Sequence, residues 1–598
     1  MIIDAKSMNR CFFKIGLFAV LMFLITINSS SQDLGATFCW HYKEIYGGHD
    51  YPFNRSIVTR DLPSNAAPQW EGMEQWWENM VEEADYAGLD FVALLSRGTQ
   101  PNQPKDLGTG DPKHIGTLIK YMKERNAGFK LAIFDDCPNS WQSSRNYNLY
   151  GKDNSKYELF DCGNPDNYKY IWDYNLKIAL EKIPNEMRYK IDNRPVIFFW
   201  SVKSTWMTNI DGNLSKIVSY IKEQCQKTFG FTPYLIVQKP WFDRDKSLTA
   251  SSVDAAHNWF SAAGGTSYTL NTLNNVNVGV CVPSFVKPAE PQNGVLEPGM
   301  GTADQGTRLK LGLDNTVKAG ARVTLVEGFT DAAEGAALWR SGDKLYYNYP
   351  NQRLNILRRY TKNPFPDTLK VEFETCDGHY DLTTGNSGEE FLNEGNLDVI
   401  KCADKYIGWN VTNTQPGEWM EWKELPLTAR TKFQLRYKSN SSASVKFTVD
   451  NFDLPTINLA STNNVWTTID AGEYSAAINS LHDVRFTIVS GTPDINYFSR
   501  IANDISTGIV DIHSVKKQFI SLYPNPYTSG MLRIQASGFE NLSNVFLKIT
   551  NLTGQTVYQQ KLNKSTAELN FSGTLKEAIY IVSIESGTHK AVTKLIIH

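Results

Sequence analysis

The chain has 598 residues, more than one hydrophobic core normally supports, so two to four domains are expected. Its 60 basic and 63 acidic residues nearly cancel, and the composition therefore gives no sign of a nucleic-acid partner or of an anionic membrane surface. Tryptophan and tyrosine are abundant, at 15 and 28 residues, which suits surfaces that stack against sugars, although many of these rings will be core.

The N-terminus has the pattern of an export signal. Basic residues between positions 6 and 14 precede an apolar run over 15–27, and small polar residues follow. The run is shorter than the roughly 20 residues that a membrane helix needs. We predict a signal peptide over residues 1–31, no membrane span, and a protein that is secreted or held on the outer cell surface after transit through the periplasm.

The cysteines favour neither a metal site nor a disulfide scaffold. Cys11 falls within the signal, and the spacing of the other seven fits no zinc motif. Cys137–Cys162 and Cys376–Cys402 are pairs near enough in sequence to form local bridges. The odd number leaves at least one thiol free, and the pattern does not favour a catalytic cysteine.

Residues 34–366 alternate short apolar strands with longer amphipathic segments. Helical spacing of apolar residues is clear over 72–87, 115–125 and 214–228. Eight strands separated by helices predict a (β/α)8 TIM barrel; a doubly wound sheet is the alternative, but no Gly-rich phosphate loop follows any strand. The predicted strands are 34–42, 91–97, 130–136, 196–201, 233–238, 255–260, 276–285 and 323–331.

Carboxylates follow two of these strands. The last strand leads to Glu327, Asp331 and Glu334, and the third ends in Asp135 and Asp136. Active sites of such barrels lie at the carboxyl ends of the strands, and acids and bases are retained there for chemistry. Because adjacent strand residues face opposite ways, only one of the two aspartates can point into the barrel. The alternative interpretation is a solvated strand end followed by a loop.

Aromatic and hydrogen-bonding residues stand at the same strand ends. Together with carboxylates they form the surroundings that a sugar requires. In a plainer interpretation the histidines are core residues and the tryptophans fill the barrel. The predicted substrate-binding residues of the barrel are Trp40, His41, Arg97, Trp200, Trp241, His257 and Trp259.

Two motifs resemble known glycosidase barrels. The segment 130–136 resembles the acid-bearing strand of glycoside hydrolase family 71 α-1,3-glucanases and, more distantly, of family 99 endo-α-mannosidases. The segment 329–335 is similar to their last-strand motif, with Phe329 and Thr330 in place of Trp-Asn. The region also resembles a secreted glycosidase-like family, domain of unknown function 5010. The resemblance implies endo action, α-linked substrates and paired carboxylates.

Residues 368–502 predict an antiparallel β-sandwich, since polar and apolar residues alternate in segments such as 432–437 and 444–449. The motifs resemble family 6-type carbohydrate-binding modules. That resemblance implies a structural calcium held by Glu372 and Glu374, and a sugar cleft formed by Trp409, Trp466 and Asn496. The alternative is that these tryptophans are core and the module only supports the barrel.

Residues 516–598 resemble the C-terminal sorting domain of type IX secretion substrates, on the segments 522–526, 551–555, 578–582 and 594–598. The resemblance implies a small β-sandwich that is recognised by the type IX secretion machinery and carries no chemistry.

The sequence therefore favours a multidomain secreted glycoside hydrolase acting on a polysaccharide or glycan, without a catalytic cofactor. One of Asp135 and Asp136 would form half of the catalytic pair, and Glu327 or Glu334 the other half. The alternative function is a catalytically inactive, surface glycan-binding protein. A serine hydrolase is disfavoured because no Gly-x-Ser-x-Gly elbow occurs. The sugar, its linkage, retention or inversion, the acid and base roles and the oligomeric state stay open.

Overall fold

The computed structural model describes residues 32–39, 73–98, 110–136, 141, 145–151, 153–259, 266–285, 306–331, 336–341, 347–383, 397–402, 404, 408–503, 519–523, 525–537, 545–562, 566–586 and 589–597. Contacts divide the molecule into two compact units, Met1–Asp504 and Ile505–His598, and each is described by itself. The signal peptide predicted for residues 1–31 lies outside the described residues.

The first half of unit one is built from a mixed sheet and surrounding helices. The strands are β1 (Asp33–Phe38), β2 (Phe91–Ser96), β3 (Lys130–Asp135), β4 (Phe160–Asp161), β5 (Lys190–Ile191), β6 (Arg194–Phe199), β7 (Met207–Thr208), β8 (Tyr234–Gln238), β9 (Ala255–His257), β10 (Tyr268–Leu273), β11 (Val276–Cys281) and β12 (Val323–Val326). The helices are α1 (Met73–Ala87), α2 (Ile115–Arg125), α3 (Arg145–Tyr150), α4 (Pro165–Ile171), a π-helical turn (Trp172–Leu176), α5 (Lys177–Lys182), α6 (Leu214–Phe229), α7 (Pro240–Arg244), α8 (Thr307–Thr316) and α9 (Gln352–Tyr360).

All eight predicted barrel strands are present, and they run parallel in the order β11-β12-β1-β2-β3-β6-β8-β9. Their apolar residues are buried on both faces, as expected for parallel strands covered by helices. The three helices with the clearest periodicity are also confirmed, at α1, α2 and α6.

The sheet departs from a regular (β/α)8 barrel between β9 and β11. The described part of this connection is a strand, β10, which pairs antiparallel with β11. Asn274 and Asn275 join the two strands with positive φ angles of 51° and 61°, the conformation that a tight hairpin turn requires. On its other side β10 lies beside β9, where Asn271 Nδ2 donates to the Ala256 carbonyl at 2.8 Å. The sheet is therefore mixed, barrel-like and nearly closed.

The amino-terminal end of the barrel interior is filled by stacked rings. Phe91 stacks on Tyr189 with ring centroids 4.1 Å apart and lies 6.1 Å from Phe198. Gly35 on β1 makes room, because a Cβ there would come within 2.4 Å of the Phe91 ring. We call this group of rings the aromatic floor.

The second half of unit one is an antiparallel sandwich, which confirms the strands predicted at 432–437 and 444–449. One sheet has the order β15-β16-β24-β18-β22 with β13 on β24; the other has β14-β17-β23-β19-β20 with β21 on β19. The strands are β13 (Thr368–Glu372), β14 (Gly378–Tyr380), β15 (Val399–Cys402), β16 (Gly408–Val411), β17 (Trp419–Leu427), β18 (Arg430–Lys438), β19 (Ala443–Val449), β20 (Phe452–Asp453), β21 (Ile457–Leu459), β22 (Thr467–Ser475), β23 (Ser480–Ser490) and β24 (Asp494–Ala502).

Unit two has a separate apolar core between two antiparallel sheets, β25-β26-β29 and β28-β27-β30-β31. This agrees with the small sandwich predicted for the end of the chain. Its strands are β25 (Phe519–Tyr523), β26 (Leu532–Ser537), β27 (Val545–Asn551), β28 (Thr556–Leu562), β29 (Thr566–Leu569), β30 (Ala578–Ser586) and β31 (His589–Ile597).

The described structure has no disulfide at the pairs suggested by cysteine spacing, and Cys137 of the first pair lies outside the described residues. Cys162, Cys376 and Cys402 are free and buried. Cys402 Sγ instead lies 3.4 Å from Asn496 Nδ2, inside the sandwich. These thiols behave as small apolar core residues, which sequence spacing alone cannot distinguish from paired cysteines.

Candidate functional site

The carboxyl ends of the eight parallel strands lie at one end of the barrel-like sheet, which we call the mouth. Alternate side chains along each strand point inward, so the parity of a position decides whether its side chain reaches the mouth. Some of the predicted site residues point inward and reach the mouth, and others point outward and do not.

Asp135 and Asp136 face opposite ways. Asp135 is fully buried on the outer side of β3, where Trp141 Nε1 donates to Oδ2 at 2.9 Å and Asn175 Nδ2 donates to Oδ1 at 3.4 Å. Asp136 is on the inner side, in line with Phe134 of the barrel interior. Of the two aspartates, Asp136 is therefore the one at the mouth, and Asp135 ties β3 to the surrounding helices.

Arg97 follows β2 and forms an ion pair with Asp136, with Nε 2.5 Å from Oδ2. The arginine side chain is 25% exposed and the aspartate side chain 3% exposed, so the pair lies at the boundary between solvent and interior. Gly110, with a φ of 72°, packs against the arginine stem, where a Cβ would come within 2.8 Å. The ion pair fixes the position of the Asp136 carboxyl group at the mouth.

Glu327 is held by a threonine from the neighbouring strand. Thr37 Oγ1 on β1 donates to Glu327 Oε2 at 3.3 Å and accepts from the Gly328 backbone N–H at 2.7 Å. Gly328 has a φ of 81°, and a Cβ there would lie 2.4 Å from that of Ala336. This turn directs Glu327, whose exposure is only 8%, toward the barrel interior.

Asp331 lies beside a buried thiol. Cys39 Sγ is 4.0 Å from Asp331 Oδ2, and the Cys39 backbone is tied to Thr330 by hydrogen bonds of 2.6 and 2.9 Å to its hydroxyl. Burial raises the pKa of Cys39 well above its usual value, and the nearby charges of Asp331 and Glu327 raise it further. The thiol is thus held in its protonated form, which makes it a poor nucleophile.

These groups form one continuous part of the mouth, because β12, β1, β2 and β3 are consecutive neighbours in the sheet. We call it the acidic half. It consists of Thr37, Cys39, Arg97, Asp136, Glu327, Thr330 and Asp331.

The ends of β6, β8 and β9 form the other part, which we call the aromatic half and which contains Trp200, Gln238, His257 and Trp259. Trp259 is the centre of this group, with ring centroids 6.3 Å from Trp200, 5.7 Å from His257 and 5.5 Å from Phe134. Trp200 and Trp259 are both partly buried against the interior. Their arrangement can present aromatic surface beside the carboxylates.

His257 is fully buried and uncharged at neutral pH. Its Nε2 lies 2.8 Å from the Phe199 carbonyl, which can only accept, so Nε2 carries the proton. Nδ1 is buried without a hydrogen-bond partner in the described part of the chain. Burial lowers the pKa of His257 to about 4. The side chain thus acts as a neutral part of the barrel wall at neutral pH.

Trp241, predicted to bind substrate, is placed differently. It lies in α7, which follows β8, and is fully buried. Its Nε1 donates to the Trp200 carbonyl at 2.7 Å, and its ring packs 5.3 Å from Phe199. Trp241 thus supports Trp200 from behind and does not reach the mouth, because the chain turns into a helix directly after the strand.

Three predicted site residues lie outside the described residues: Trp40, His41 and Glu334. Conversely, Thr37, Cys39, Thr330 and Gln238 belong to the mouth and were not among the predicted site residues. The sequence indicates Thr37, Cys39 and Gln238 only through their positions: they lie an even number of residues from inward-facing residues of the same strand or strand end.

In the sandwich, Asn496 is 97% buried and donates to Asp404 Oδ2 at 3.0 Å, so its amide is already engaged. Trp409 packs against the core, and Lys401 Nζ lies 5.9 Å from its ring. Lys438 Nζ lies 5.0 Å from the ring of Trp466. The sugar cleft predicted from these three residues is thus partly occupied by the module's own side chains.

The two predicted calcium ligands are close to basic groups. Glu372 Oε1 accepts from Lys370 Nζ at 2.6 Å and from Arg125 Nη1 at 3.2 Å. Glu374 is buried, and its Oε2 has no hydrogen-bond partner among the described residues; burial raises the pKa of Glu374, and the charge of Glu372 raises it further. Within the described ranges no three His, Cys, Asp or Glu side chains are grouped as a metal site. In this structure Glu372 is therefore engaged by two basic side chains.

Comparison with known protein families identifies three regions. Residues 30–378, more than half of the chain, match the family "Domain of unknown function (DUF5010)".

The chain belongs to the DUF5010 family.

In this DUF5010 protein, residues 393–500 match a carbohydrate-binding module of family 35, so the module class is confirmed under a different family number from the one predicted. Residues 521–598 match a secretion system C-terminal sorting domain. The protein is therefore secreted or located at the outer surface, and its route is type IX secretion. None of the described helices is long and apolar enough to cross a membrane.

An ulvan lyase of Nonlabens ulvanivorans is 26% identical over 142 residues, covering 23% of this chain. The chain matches about a quarter (26%) of the length of that relative. Among solved structures, the C-terminal CBM6 of LamC, a marine laminarinase from Zobellia galactanivorans, shares 19% identity and covers 22% of this chain and 98% of its own, with a TM-score of 0.18. The module CsCBM6-3 from Clostridium stercorarium in complex with cellobiose shares 13% identity and covers 23% and 94%, also at 0.18. At these TM-scores the two structures carry no argument about this chain.

Proposed function

We propose that the protein is a secreted glycoside hydrolase that cleaves a polysaccharide or glycan at the mouth of its barrel. The observation that supports this most is the pair Asp136 and Glu327, two buried inner-face carboxylates on strands separated by β1 and β2. Paired carboxylates on either side of a sugar are the usual machinery of glycosidic bond cleavage. The eight parallel strands also support descent from a (β/α)8 barrel, with β10 as an addition.

The surroundings of the two carboxylates suggest different roles. Asp136 is paired with Arg97, so it serves as the negatively charged group that stabilises positive charge on the sugar ring or activates water. Glu327 accepts from the Thr37 hydroxyl and is only slightly exposed to solvent, and it serves as the general acid that protonates the leaving oxygen. Asp331 lies next to Cys39 and completes the negative field of the acidic half. The endo action and α-linkage implied by the family 71 and 99 resemblance remain predictions.

The aromatic half would hold the sugar ring. Trp200 and Trp259 are partly buried rings at the edge of the interior, suited to stack against the apolar face of a pyranose. Arg97, at 25% exposure, retains access to solvent and can donate to a ring hydroxyl.

A second candidate is a polysaccharide lyase, favoured by the 26% identity to an ulvan lyase. In that reaction a base removes the proton next to a uronate carboxylate, the electrons form a carbon–carbon double bond, and the glycosidic oxygen leaves with a proton. Arg97 would neutralise the uronate, Asp136 would act as the base and Glu327 as the acid. The product would carry an unsaturated sugar end.

The deciding experiment uses the mature protein on a panel containing α-1,3-glucan, α-mannan, xylan and ulvan. Reducing ends without ultraviolet absorbance indicate hydrolysis, and reducing ends with absorbance of an unsaturated uronate indicate elimination. Asp136→Asn and Glu327→Gln should each abolish the signal, whereas the neighbouring Asp135→Asn should retain it. Silence of the wild-type protein on every polymer, with retained glycan binding, would instead support the non-catalytic glycan-binding alternative.

A structural calcium in the sandwich remains a prediction from resemblance. If Glu372 exchanged its basic partners for the ion, calcium would raise the melting temperature of the full chain and EDTA would lower it. The Glu374→Gln variant should lose this response; an equal response in both proteins would place the ion elsewhere.

A further inference from the structure

The sandwich has a second surface on which polar and aromatic side chains are aligned across four strands. In the sheet formed by β14, β17, β23 and β19, the register pairs Tyr380 with Trp419, Trp419 with Thr487, and Thr487 with Lys446. Because Met420, Phe486 and Phe447 beside them point into the core, these four side chains share the outer face of the sheet. We call this alignment the outer row.

The outer row carries exposed ring surface. Tyr380 is 48% exposed, and its ring lies at 21° to the Trp419 ring with centroids 6.5 Å apart. Gly378 on β14 lies next to the tryptophan ring, where a Cβ would make an ordinary contact of 3.8 Å with Trp419 Cζ3. A pair of nearly parallel rings on an open sheet is the kind of surface on which sugar rings stack.

A guanidinium group is fixed beside these rings. Arg485 lies over Trp419, with Cζ 4.2 Å from the ring centroid. Glu421 holds it through Oε2, at 3.1 Å from Nε and 2.8 Å from Nη2. Since the Arg485 side chain is 43% exposed, its remaining N–H groups face solvent in a fixed direction next to the rings. Such donors suit hydroxyl groups.

The charges on this face balance each other. Arg485 and Lys423 pair with Glu421 at 2.8 and 2.5 Å, and Lys446 pairs with Asp453 at 2.6 Å. Lys423 also reaches Asp483 at 2.8 Å. The charges of these six described groups, three basic and three acidic, cancel one another, which favours a neutral saccharide over a polyanion.

We propose that the outer row, centred on Tyr380, Trp419 and Arg485, is the glycan-binding surface of the module and takes a neutral saccharide chain. This deepens the proposed function, since it rests on a glycan-active protein but uses the sheet opposite to the one that carries the predicted cleft of Trp409, Trp466 and Asn496. That cleft offers an asparagine already engaged by Asp404, whereas the outer row offers free ring surface and fixed donors.

The test is retardation of the mature protein in native gels containing laminarin, xylan, glucomannan or α-mannan, with carrageenan as the sulfated probe. We expect at least one neutral polymer to retard the wild type, and Tyr380→Ala and Trp419→Ala to weaken that binding at least tenfold. Phe452→Ala is the matched control, since Phe452 is 64% exposed on the same sheet but outside the row, and it should bind as wild type.

Melting curves verify that each variant folds, and Tyr380→Ala alone is sufficient if Trp419→Ala unfolds. Three results would overturn the proposal: no neutral polymer retards the wild type, only carrageenan does so, or binding survives these changes and is lost in Trp466→Ala. Hydrolysis of a short soluble oligosaccharide, which needs no binding module, is measured in parallel. Failure of the outer row is thereby distinguished from failure of the proposed enzyme.

Discussion

The two halves of the mouth are built on the same sheet but use opposite chemistry. In the acidic half every named polar group has a partner from the neighbouring strand or turn, as Glu327 has in Thr37 and Asp136 in Arg97. In the aromatic half polar atoms are buried without partners in the described residues, including Trp200 Nε1, Gln238 Oε1 and His257 Nδ1. Fixed charges suit catalysis, because their orientation costs nothing at the moment of reaction. Unpartnered donors and acceptors beside rings suit a ligand that supplies the missing hydrogen bonds.

Removing the carboxylates of the acidic half should have the largest effect and tests whether catalysis belongs to that half. Asp136→Asn and Glu327→Gln should each lower kcat/KM by about 100- to 10,000-fold, the usual contribution of general acid–base catalysis. Steady-state kinetics on the polymer identified by the panel checks this. Asp135→Asn changes the same functional group one residue away on the outer side and should stay within a few-fold of wild type. An equal loss in all three would mean that folding, not chemistry, was disturbed.

The second prediction concerns the neutral character of the aromatic half. The pKa of His257 falls from 6.5 to about 4 on folding, so the unfolded chain binds a proton more readily between these values. Stability is therefore fully present above pH 6.5, decreases as the pH falls toward 4, and changes no further from this group below that. Between pH 7 and pH 5 the loss is about 2 kcal/mol.

His257→Gln retains a donor for the Phe199 carbonyl but cannot titrate. Denaturant unfolding of both proteins at pH 7 and pH 5, followed by tryptophan fluorescence, should show a smaller pH effect in the variant by that amount. All other titratable groups are common to the two proteins, so identical pH effects would show that His257 is not buried in neutral form.

A smaller effect is expected from the threonine that holds Glu327. Thr37→Val keeps the shape of the side chain but leaves the Gly328 N–H and the carboxylate without its hydroxyl, which should lower kcat about tenfold, near 1.4 kcal/mol, with little change in KM. Thr37→Ser should restore the rate. A change confined to thermal stability would make Thr37 a structural residue only.

The smallest effect should come from one ring of the aromatic half. Trp259→Leu removes stacking surface without touching the acidic half, and we expect KM to rise about fivefold, or roughly 1 kcal/mol, at nearly constant kcat. Kinetics on a short oligosaccharide would isolate this from binding by the sandwich. A larger fall in kcat than in affinity would mean that the aromatic half also orients the carboxylates.

The sequence allowed the eight parallel strands to be predicted because each is a short apolar run bounded by turns, buried on both faces. It also predicted that the side chains of Asp135 and Asp136 face opposite ways. Which of the two faces the barrel interior could not be decided, because that requires knowing whether neighbours such as Phe134 or Trp141 lie inside the barrel. The β10 strand was missed, although Asn274 and Asn275 between alternating residues are a recognisable hairpin signal.

The predicted site was less complete than the predicted fold. Trp241 follows a barrel strand, yet the helix that starts at Pro240 turns it outward. Thr37 lies within a buried apolar strand, where a single threonine resembles filler. Its role depends on a partner 290 residues away, and this long-range register is set by the sheet and cannot be read from local pattern.

The aromatic floor limits how a polymer can enter the site and how a product can leave it. With Phe91 stacked on Tyr189 and its ring centroid 6.1 Å from that of Phe198, aromatic rings fill the amino-terminal end of the barrel interior and leave no through passage there. A polymer cannot thread through it, so a long chain must either lie across the entrance or insert one end. If one end inserts, the cleaved fragment must leave by the end of the barrel at which it entered before the next chain end can bind. Slow departure of short products, and inhibition by them, would then distinguish an end-inserting mode from one in which the chain lies across the entrance.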